Sequence, residues 1–301
     1  MKTTYHKQTA EERSAKIDAA KAALTDGLKS LVTSGDWQAM LDSMARRGKF
    51  SPARFSFRNQ VLVESQRPGS TAVATFNRWH SIGRYVKKGE KGIMILQPQT
   101  WKRTEKNAKG EDEQVAGIFF KVLYTFAYEQ TEGAECPAGV LSAVTLPEAS
   151  GEAELETLVK MAKGLDCVSE VEVREPQAGD LTDAYGWFNR TTKGIVVVTF
   201  EGRSTAALFA TLVHEVAHAI LHGTDGHHDR AEKEVEAEST AYIVCKALGI
   251  DTGCFSFPYV ANWAKGDSKA VEKVGTRVAK AAAQILEAFE GAQEKAEEEA
   301  A

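Results

Sequence analysis

The strongest hydrophobic periodicity in the chain lies between Thr205 and His222. Apolar residues recur there every three or four positions, the spacing of one buried helix face, at Leu208, Leu212, Ala219 and Ile220. Ser204 stands just before the run and is a residue type favoured as the amino-terminal cap of a helix. The pattern predicts a buried amphipathic helix over residues 205–222.

A second helix is predicted over residues 231–250, with Gly249 at its end. Two carboxylates share one face of this helix with an apolar stripe, in the order Glu234, Glu238, Ala241 and Cys245. Because the stripe is expected to be buried, both carboxylates need polar partners. Glu232 and Glu236 fall outside the stripe, and we expect them on a solvated face.

In the amino-terminal half, helices come first and strands follow. Thr9 and Glu12 match a capping box ahead of a helical stripe that ends at Gly35. A short helix over residues 37–44 comes next, and a third starts at residues 51–52 and must end before Pro68. Short β-type runs then occupy residues 72–75, 92–96 and 115–124.

The carboxy-terminal half mixes both element types. A helix is predicted over residues 155–165, a strand over 168–173 and a hairpin over 185–200. With 301 residues, we expect an α+β chain of two domains, each with its own core. Helices and a small antiparallel sheet form residues 1–132, an aperiodic linker covers 133–149, and a second domain covers 150–290. The acidic tail over residues 291–301 is interpreted as a solvated helix end.

The helix over residues 205–222 contains the motif HEVAH. His214 and His218 are one turn apart, so both imidazoles leave the same face at the separation that one tetrahedral zinc ion requires. Glu215 lies about 100° around the helix from His214, close enough to act on a water molecule without being a ligand. The alternative is a pair of satisfied core histidines. The motif favours a Zn²⁺ site for hydrolysis, with Glu215 as the residue that accepts and returns the proton.

A metal held by two histidines needs a third protein ligand. Facing favours Glu234 as this ligand and Glu238 as a hydrogen-bond acceptor for a ligand histidine, with Glu236 the weakest alternative. His222, two turns after His214, is an improbable competitor. An oxyanion-stabilising group is also required, and the sequence leaves five candidates open: His222, His227, His228, Tyr185 and Tyr242.

Charge is distributed unevenly along the chain. Residues 44–103 hold thirteen Lys or Arg against two acids, an excess of +11, so the net charge of -5 leaves about -16 on the remainder. Aromatic residues lie among these cations, the mixture required by a groove for single-stranded nucleic acid. The alternative is a core of aromatics with a solvated rim of charges. The candidate contact residues are Arg58, Asn59, Arg78, Trp79, Arg84, Tyr85, Lys87, Lys88 and Lys91.

The composition is that expected of a cytoplasmic globular protein. No run of 18 apolar residues occurs, and the first residues lack the apolar segment of a signal peptide. We therefore expect no membrane partner. The four cysteines form no CxxC pair, so free thiols are the default.

The run FSFRNQVLVESQRPGSTAVATFNRWHSIGRYVKKGEKGIMILQPQ resembles the amino-terminal domain of the ArdC family of antirestriction proteins. AYGWFNRTTKGIVV, TLVHEVAHA and YVANW resemble the second half of that family. The likeness in the first run rests on Ser56, Asn59, Gln66, Pro68, Trp79, Gly83, Arg84, Val86, Lys88, Gly89, Gly92, Ile93 and Pro98.

The resemblance implies a single-stranded-DNA-binding domain followed by a zincin-like metallopeptidase domain built on the HExxH helix. It favours Glu234 and Glu238 over Glu236, where the family usually has a bulky apolar residue. In zincin-like folds the strand beside this helix is an edge that pairs with substrate, so by analogy residues 195–199 would bind a peptide. Three functions are compatible: an antirestriction protein, a DNA-targeted protease, and a binding module with structural zinc.

Overall fold

The chain folds into helices around three small sheets. The computed structural model describes residues 9–32, 34–47, 55–106, 112–135, 151–180, 184–224, 229–250, 264 and 266–300. The amino-terminal half contains α1 (Ala10–Ser30), α2 (Ser34–Arg47), α3 (Phe57–Gln66), β1 (Val73–Thr75), α4 (Phe76–Ser81), β2 (Arg84–Val86), β3 (Ile93–Lys106), β4 (Asp112–Ala127) and β5 (Thr131–Gly133). The carboxy-terminal half contains α5 (Gly151–Lys163), β6 (Glu170–Arg174), β7 (Gly186–Asn189), β8 (Gly194–Val198), α6 (Thr205–His222), α7 (Arg230–Ala247) and α8 (Ser268–Ala300).

The local signals at helix starts are confirmed. Thr9 and Glu12 form the predicted capping box of α1, and the Ser204 side chain accepts a hydrogen bond from the Ala207 N–H at the start of α6. Ser56 caps α3 in the same way, so this helix begins at Phe57; the predicted start at residues 51–52 lies outside the described residues.

A long antiparallel hairpin dominates the amino-terminal sheet, which has the strand order β1-β4-β3. Strands β3 and β4 pair from Ile93 opposite Thr125 as far as Lys106 opposite Asp112, well beyond the predicted strand ends. Its distal part is largely exposed. A small antiparallel sheet of β2 and β5 lies beside it in the chain.

Helix α3 covers the outer edge of β3 with two side-chain amides. Asn59 accepts from the Leu96 N–H at 2.9 Å and donates to the Leu96 carbonyl at 3.0 Å. Gln66 makes the same pair of bonds with Met94, both at 2.9 Å. The two amides therefore satisfy backbone groups that a further strand would otherwise bind.

The carboxy-terminal sheet has the order β6-β8-β7. Strand β8 is parallel to β6 and antiparallel to β7. The expectation that residues 195–199 form an edge strand was wrong, because β8 is central. Ile195 and Val197 are fully buried, as suits a β-branched run flanked on both sides. The strand at the edge of this sheet next to α6 is β7.

The expectation of a separate core for each half was also wrong. One hydrophobic cluster joins α1, α2 and α3 to α5 and to helices α6–α8. The Trp37 Nε1–H donates to the Ser239 Oγ at 3.1 Å, from α2 to α7. The Phe57 ring packs so closely on Gly275 of α8 that a Cβ there would lie 2.2 Å from a ring carbon. The sheet of β1, β3 and β4 has smaller clusters of its own.

Helix α6 passes through the shared core. Its 18 residues have a mean hydropathy of 1.2, enough by length and composition to cross a membrane, and half of them are buried inside the fold. Leu208, Leu212 and Val216 are buried, as the periodicity predicts. A buried core helix meets the same criterion, and α6 packs against α5, α7 and α8.

Candidate functional site

Three side chains from α6 and α7 converge on one point. The His214 Nε2 and His218 Nε2 atoms lie 3.0 Å apart. The Glu234 Oε2 atom lies 3.5 Å from the first and 3.7 Å from the second. These are the three side chains that the sequence predicts, and their donor atoms lie within 4.8 Å of one another.

The donor set fits a zinc-type ion in both chemistry and spacing. Two donors at 2.0–2.1 Å from a tetrahedral ion lie about 3.3 Å apart, close to the three separations found here. The Glu234 side chain is 50% exposed, whereas the histidines are largely covered, so the cluster opens toward solvent on the carboxylate side. Two imidazoles and one carboxylate leave a fourth position for water or substrate.

The charges in the cluster balance one another. Burial lowers the pKa of His214, but hydrogen bonding to Glu234 and the charges of Glu215, Glu234 and Glu238 outweigh burial, so this pKa lies above its ordinary value. Hydrogen bonds from His214 and His218 hold the pKa of Glu234 well below its usual range. The pocket therefore favours a positive charge at its centre, as a cation would supply.

Glu215 is buried beside the cluster and faces strand β7. Burial raises the pKa of its carboxyl group, and the Phe188 N–H donates a hydrogen bond to it. A Cβ at Gly186 would lie 2.6 Å from Thr211 Cγ2 and 3.4 Å from Glu215 Cγ. Only glycine lets β7 approach α6 this closely.

The edge of β7 is oriented toward Glu215. The Val198 N–H donates to the Tyr185 carbonyl, so alternate residues of β7 bond to β8, and the backbone groups of Gly186 and Phe188 point away from it. Among the described residues, no strand pairs with this outer edge.

The two remaining glutamates of α7 differ from expectation. Glu236, expected on a solvated face, is 0% exposed and lies 2.9 Å from the His222 Nε2 atom. Glu238, expected to accept from a ligand histidine, has a buried Oε2 atom with no hydrogen-bond partner in the described part of the chain, and burial raises its pKa. The packing of α6 on α7 turns Glu236 inward, which helical periodicity alone did not predict.

The oxyanion candidates are also separated. His222 is buried and bonded to His218 and Glu236. The Tyr242 hydroxyl donates to Asp42. Tyr185 is 62% exposed, precedes β7 and stacks on Phe200. His227 and His228 lie outside the described residues.

Three of the candidate DNA-contacting residues are enclosed in the fold. Trp79 is 0% exposed and its Nε1–H donates to the Phe126 carbonyl at 2.7 Å. Arg84 is buried against Thr131 and lies over the Tyr128 ring at 4.0 Å. Asn59 binds the edge of β3. These three side chains support the domain and have no face available for nucleic acid.

The other candidates are exposed. Lys88 and Lys91 line a cleft of about 690 Å³ together with Arg67, a cation that the sequence analysis did not select. Tyr85 is 52% exposed and Lys87 is exposed nearby in the chain. Arg78 lines a smaller pocket of about 260 Å³ against the sheet. Arg58 pairs with Glu272 of α8.

Comparison with known proteins agrees with this architecture. Residues 7–126 match the family model described as the N-terminal domain of anti-restriction factor ArdC. The uncharacterized protein pXO2-81 of Bacillus anthracis is 26% identical over 284 residues, covering 83% of this chain. The chain spans 46% of the length of that relative.

The fold is that of a solved ArdC structure. The metal-free crystal structure of the antirestriction ArdC protein from plasmid R388 superposes with a TM-score of 0.55 at 21% identity, over 89% of this chain and 98% of that protein. Its Mn(II)-bound crystal structure gives a TM-score of 0.48 at 22% identity, over 78% and 85% of the two chains. By its amino-terminal domain and its fold, the chain is a member of the ArdC family of antirestriction proteins.

Proposed function

We propose that this protein is an antirestriction protein that binds single-stranded DNA through its amino-terminal half and carries a zinc-dependent peptidase site in its carboxy-terminal half. The observation that carries the second part is the convergence of His214, His218 and Glu234, with the buried Glu215 beside them and unused as a ligand. A purely structural zinc site would need neither an open position nor a neighbouring base.

The roles of the side chains follow from their positions. His214, His218 and Glu234 would hold the ion, and zinc bound there would act as a Lewis acid and lower the pKa of water. Glu215 would accept a proton from the attacking water and deliver it to the leaving nitrogen. Its raised pKa suits both steps, because a base whose pKa is closer to neutral also releases its proton readily.

Strand β7 would orient a peptide substrate. Its outward-facing backbone groups at Gly186 and Phe188 could pair with an extended peptide, as an added strand does at a sheet edge. Because the Phe188 N–H already contacts the Glu215 carboxylate, a peptide on this edge would pass directly beside the proposed base. The contact between β7 and α6 that Gly186 permits sets this distance.

The exposed cations of the amino-terminal half would bind the phosphates of DNA. Lys88, Lys91 and Arg67 face one cleft with a single acid, Glu90, among them. Tyr85 provides an exposed ring on the strand just before this basic turn, where it could stack on an unpaired base. We include a cytoplasmic location in this proposal, in keeping with the free thiols of Cys167 and Cys245.

Titration of the full chain with labelled single-stranded and duplex DNA tests the proposal. We expect a preference for single strands that weakens steeply with salt. Lys88→Glu with Lys91→Glu should lower the affinity by about tenfold or more, and reduce the salt dependence by about 0.7 per lost contact. Lys163→Glu with Lys280→Glu, on exposed positions of α5 and α8, is the charge-matched control. Equal losses in both variants, or no salt-dependent binding by the parent, would refute the DNA-binding role.

A further inference from the structure

A third histidine of α6 extends the metal cluster into the interior. His214, His218 and His222 follow one another at single-turn spacing, with ring centroids 4.7 and 5.1 Å apart. His222 is 2% exposed, and its ring points toward α7 and α8. It takes no part in the proposed ligand set, so its burial needs another explanation.

Polar contacts run without a break from His218 to α8. The His218 Nδ1 and His222 Nδ1 atoms lie 3.0 Å apart. The His222 Nε2 atom lies 2.9 Å from Glu236 Oε2, and the second oxygen of Glu236 forms an ion pair with the Arg277 Nε at 3.0 Å. This last contact is an ion pair and not a well-aligned hydrogen bond. Arg277 also donates to the Leu221 carbonyl at 2.7 Å.

Only one assignment of protons satisfies all these contacts when His218 is a ligand. Its Nε2 atom faces the ligand cluster, so its Nδ1 must carry the proton and donate to His222 Nδ1. The proton of His222 then lies on Nε2 and is donated to the Glu236 carboxylate. Arg277 balances the charge of that carboxylate.

A buried ion pair alone is a poor reason to retain these residues. Enclosing the Glu236 carboxylate at 0% exposure is costly, and apolar residues of similar volume commonly replace such pairs without loss of stability. What apolar residues cannot supply is an acceptor for the His218 Nδ1–H. Hydrogen-bond acceptors behind a ligand histidine fix its tautomer and ring orientation and raise its basicity as a ligand.

We propose that His222, Glu236 and Arg277 form a positioning relay that fixes the ring and tautomer of His218 for metal binding. The relay rests on the proposed metal site and adds residues from α7 and α8 to it. It makes the position of α8 part of the metal centre, because Arg277 is its last member.

Zinc affinity of the full chain, measured by competition with a chromophoric chelator, tests the relay. His222→Phe should weaken zinc binding by about 10–100-fold, and Glu236→Leu by a similar factor. Because the residues act in series, the double variant should lose no more than the larger single loss. It also keeps the interior apolar, so it covers the case in which a single variant fails to fold. His222→Gln, which retains an acceptor and a donor, should recover part of the affinity.

The controls break a different ion pair between the same two helices. Lys273 Nζ lies 3.4 Å from Glu232 Oε1, so Glu232→Gln and Lys273→Met alter contacts of α7 and α8 outside the relay. Both variants should bind zinc as the parent does. If they lose affinity equally with the relay variants, helix packing explains the effect and the relay is refuted.

Nitrogen-15 NMR of the zinc-loaded chain gives a second readout. We expect His218 protonated on Nδ1 and His222 on Nε2, with the His218 signal shifted in Glu236→Leu. The opposite tautomer of His222, or unchanged zinc affinity in His222→Phe, would refute the relay while leaving the metal site in place. A parent protein that binds no zinc would instead refute the metal site itself, and the relay with it.

Discussion

At the residue scale, Glu215 separates catalysis from metal binding. It is buried, has a raised pKa and is not one of the three converging donors. Glu215→Gln should retain zinc and lower peptide hydrolysis by about 100-fold or more, because the proton acceptor is lost while the ligands remain. Cleavage of a peptide library by the zinc-loaded parent and variant measures this. Equal rates in both proteins would exclude Glu215 as the base.

Two aromatic residues of the amino-terminal half should respond in opposite ways. Tyr85 is exposed, so Tyr85→Ala should weaken single-stranded DNA binding by about 1–3 kcal/mol with little effect on stability. Trp79 is fully buried, so Trp79→Ala should reduce the free energy of unfolding by about 3–5 kcal/mol. Chemical denaturation and DNA titration of both variants distinguish them. A Trp79→Ala protein of parental stability would contradict its place in the core.

At the scale of elements, strand β6 ends in an ion pair with a defined pH dependence. Arg174 binds Asp180 through two contacts, at 2.8 and 2.9 Å. Hydrogen bonding from Arg174, with the Gln177 N–H, lowers the pKa of Asp180 to about 2. The folded protein therefore binds this proton less readily than the unfolded chain does. The contribution to stability is complete above about pH 4 and is lost as the pH falls to about 2.

Asp180→Asn removes this contribution at every pH. The difference in urea midpoint between parent and variant should shrink as the pH falls from 5 toward 2. A constant difference across that range would show that Asp180 does not titrate with a lowered pKa in the folded protein.

The sequence predicted those parts of the site that one helix determines. His214 and His218 follow from helical geometry alone, and Glu234 required only the right face of the next helix. Glu236 and His222 could not be assigned, because their burial depends on how α6, α7 and α8 pack together. The central position of β8 depends on pairing with β6, which is distant in the sequence. Burial of Trp79 gave no signal, because α4 is too short to show a period.

At the scale of the whole molecule, the shared core should make the two halves unfold together. Gly275 of α8 contacts the Phe57 ring of α3, so Gly275→Ala would force the two helices apart. We expect a loss of about 1–3 kcal/mol that is felt in both halves. Hydrogen exchange during urea unfolding should show equal shifts in peptides from β4 and β8. A shift confined to the carboxy-terminal peptides would indicate independent domains.

The most direct test of the account is an anomalous diffraction experiment at the zinc edge on crystals of the zinc-loaded full chain. We predict one peak per chain, about 2.0–2.2 Å from His214 Nε2, His218 Nε2 and a carboxylate oxygen of Glu234. Glu215 should lie beyond bonding distance of this peak. A peak bound by Glu236 or Glu238 in place of Glu234, or no peak at the histidines, would contradict the account.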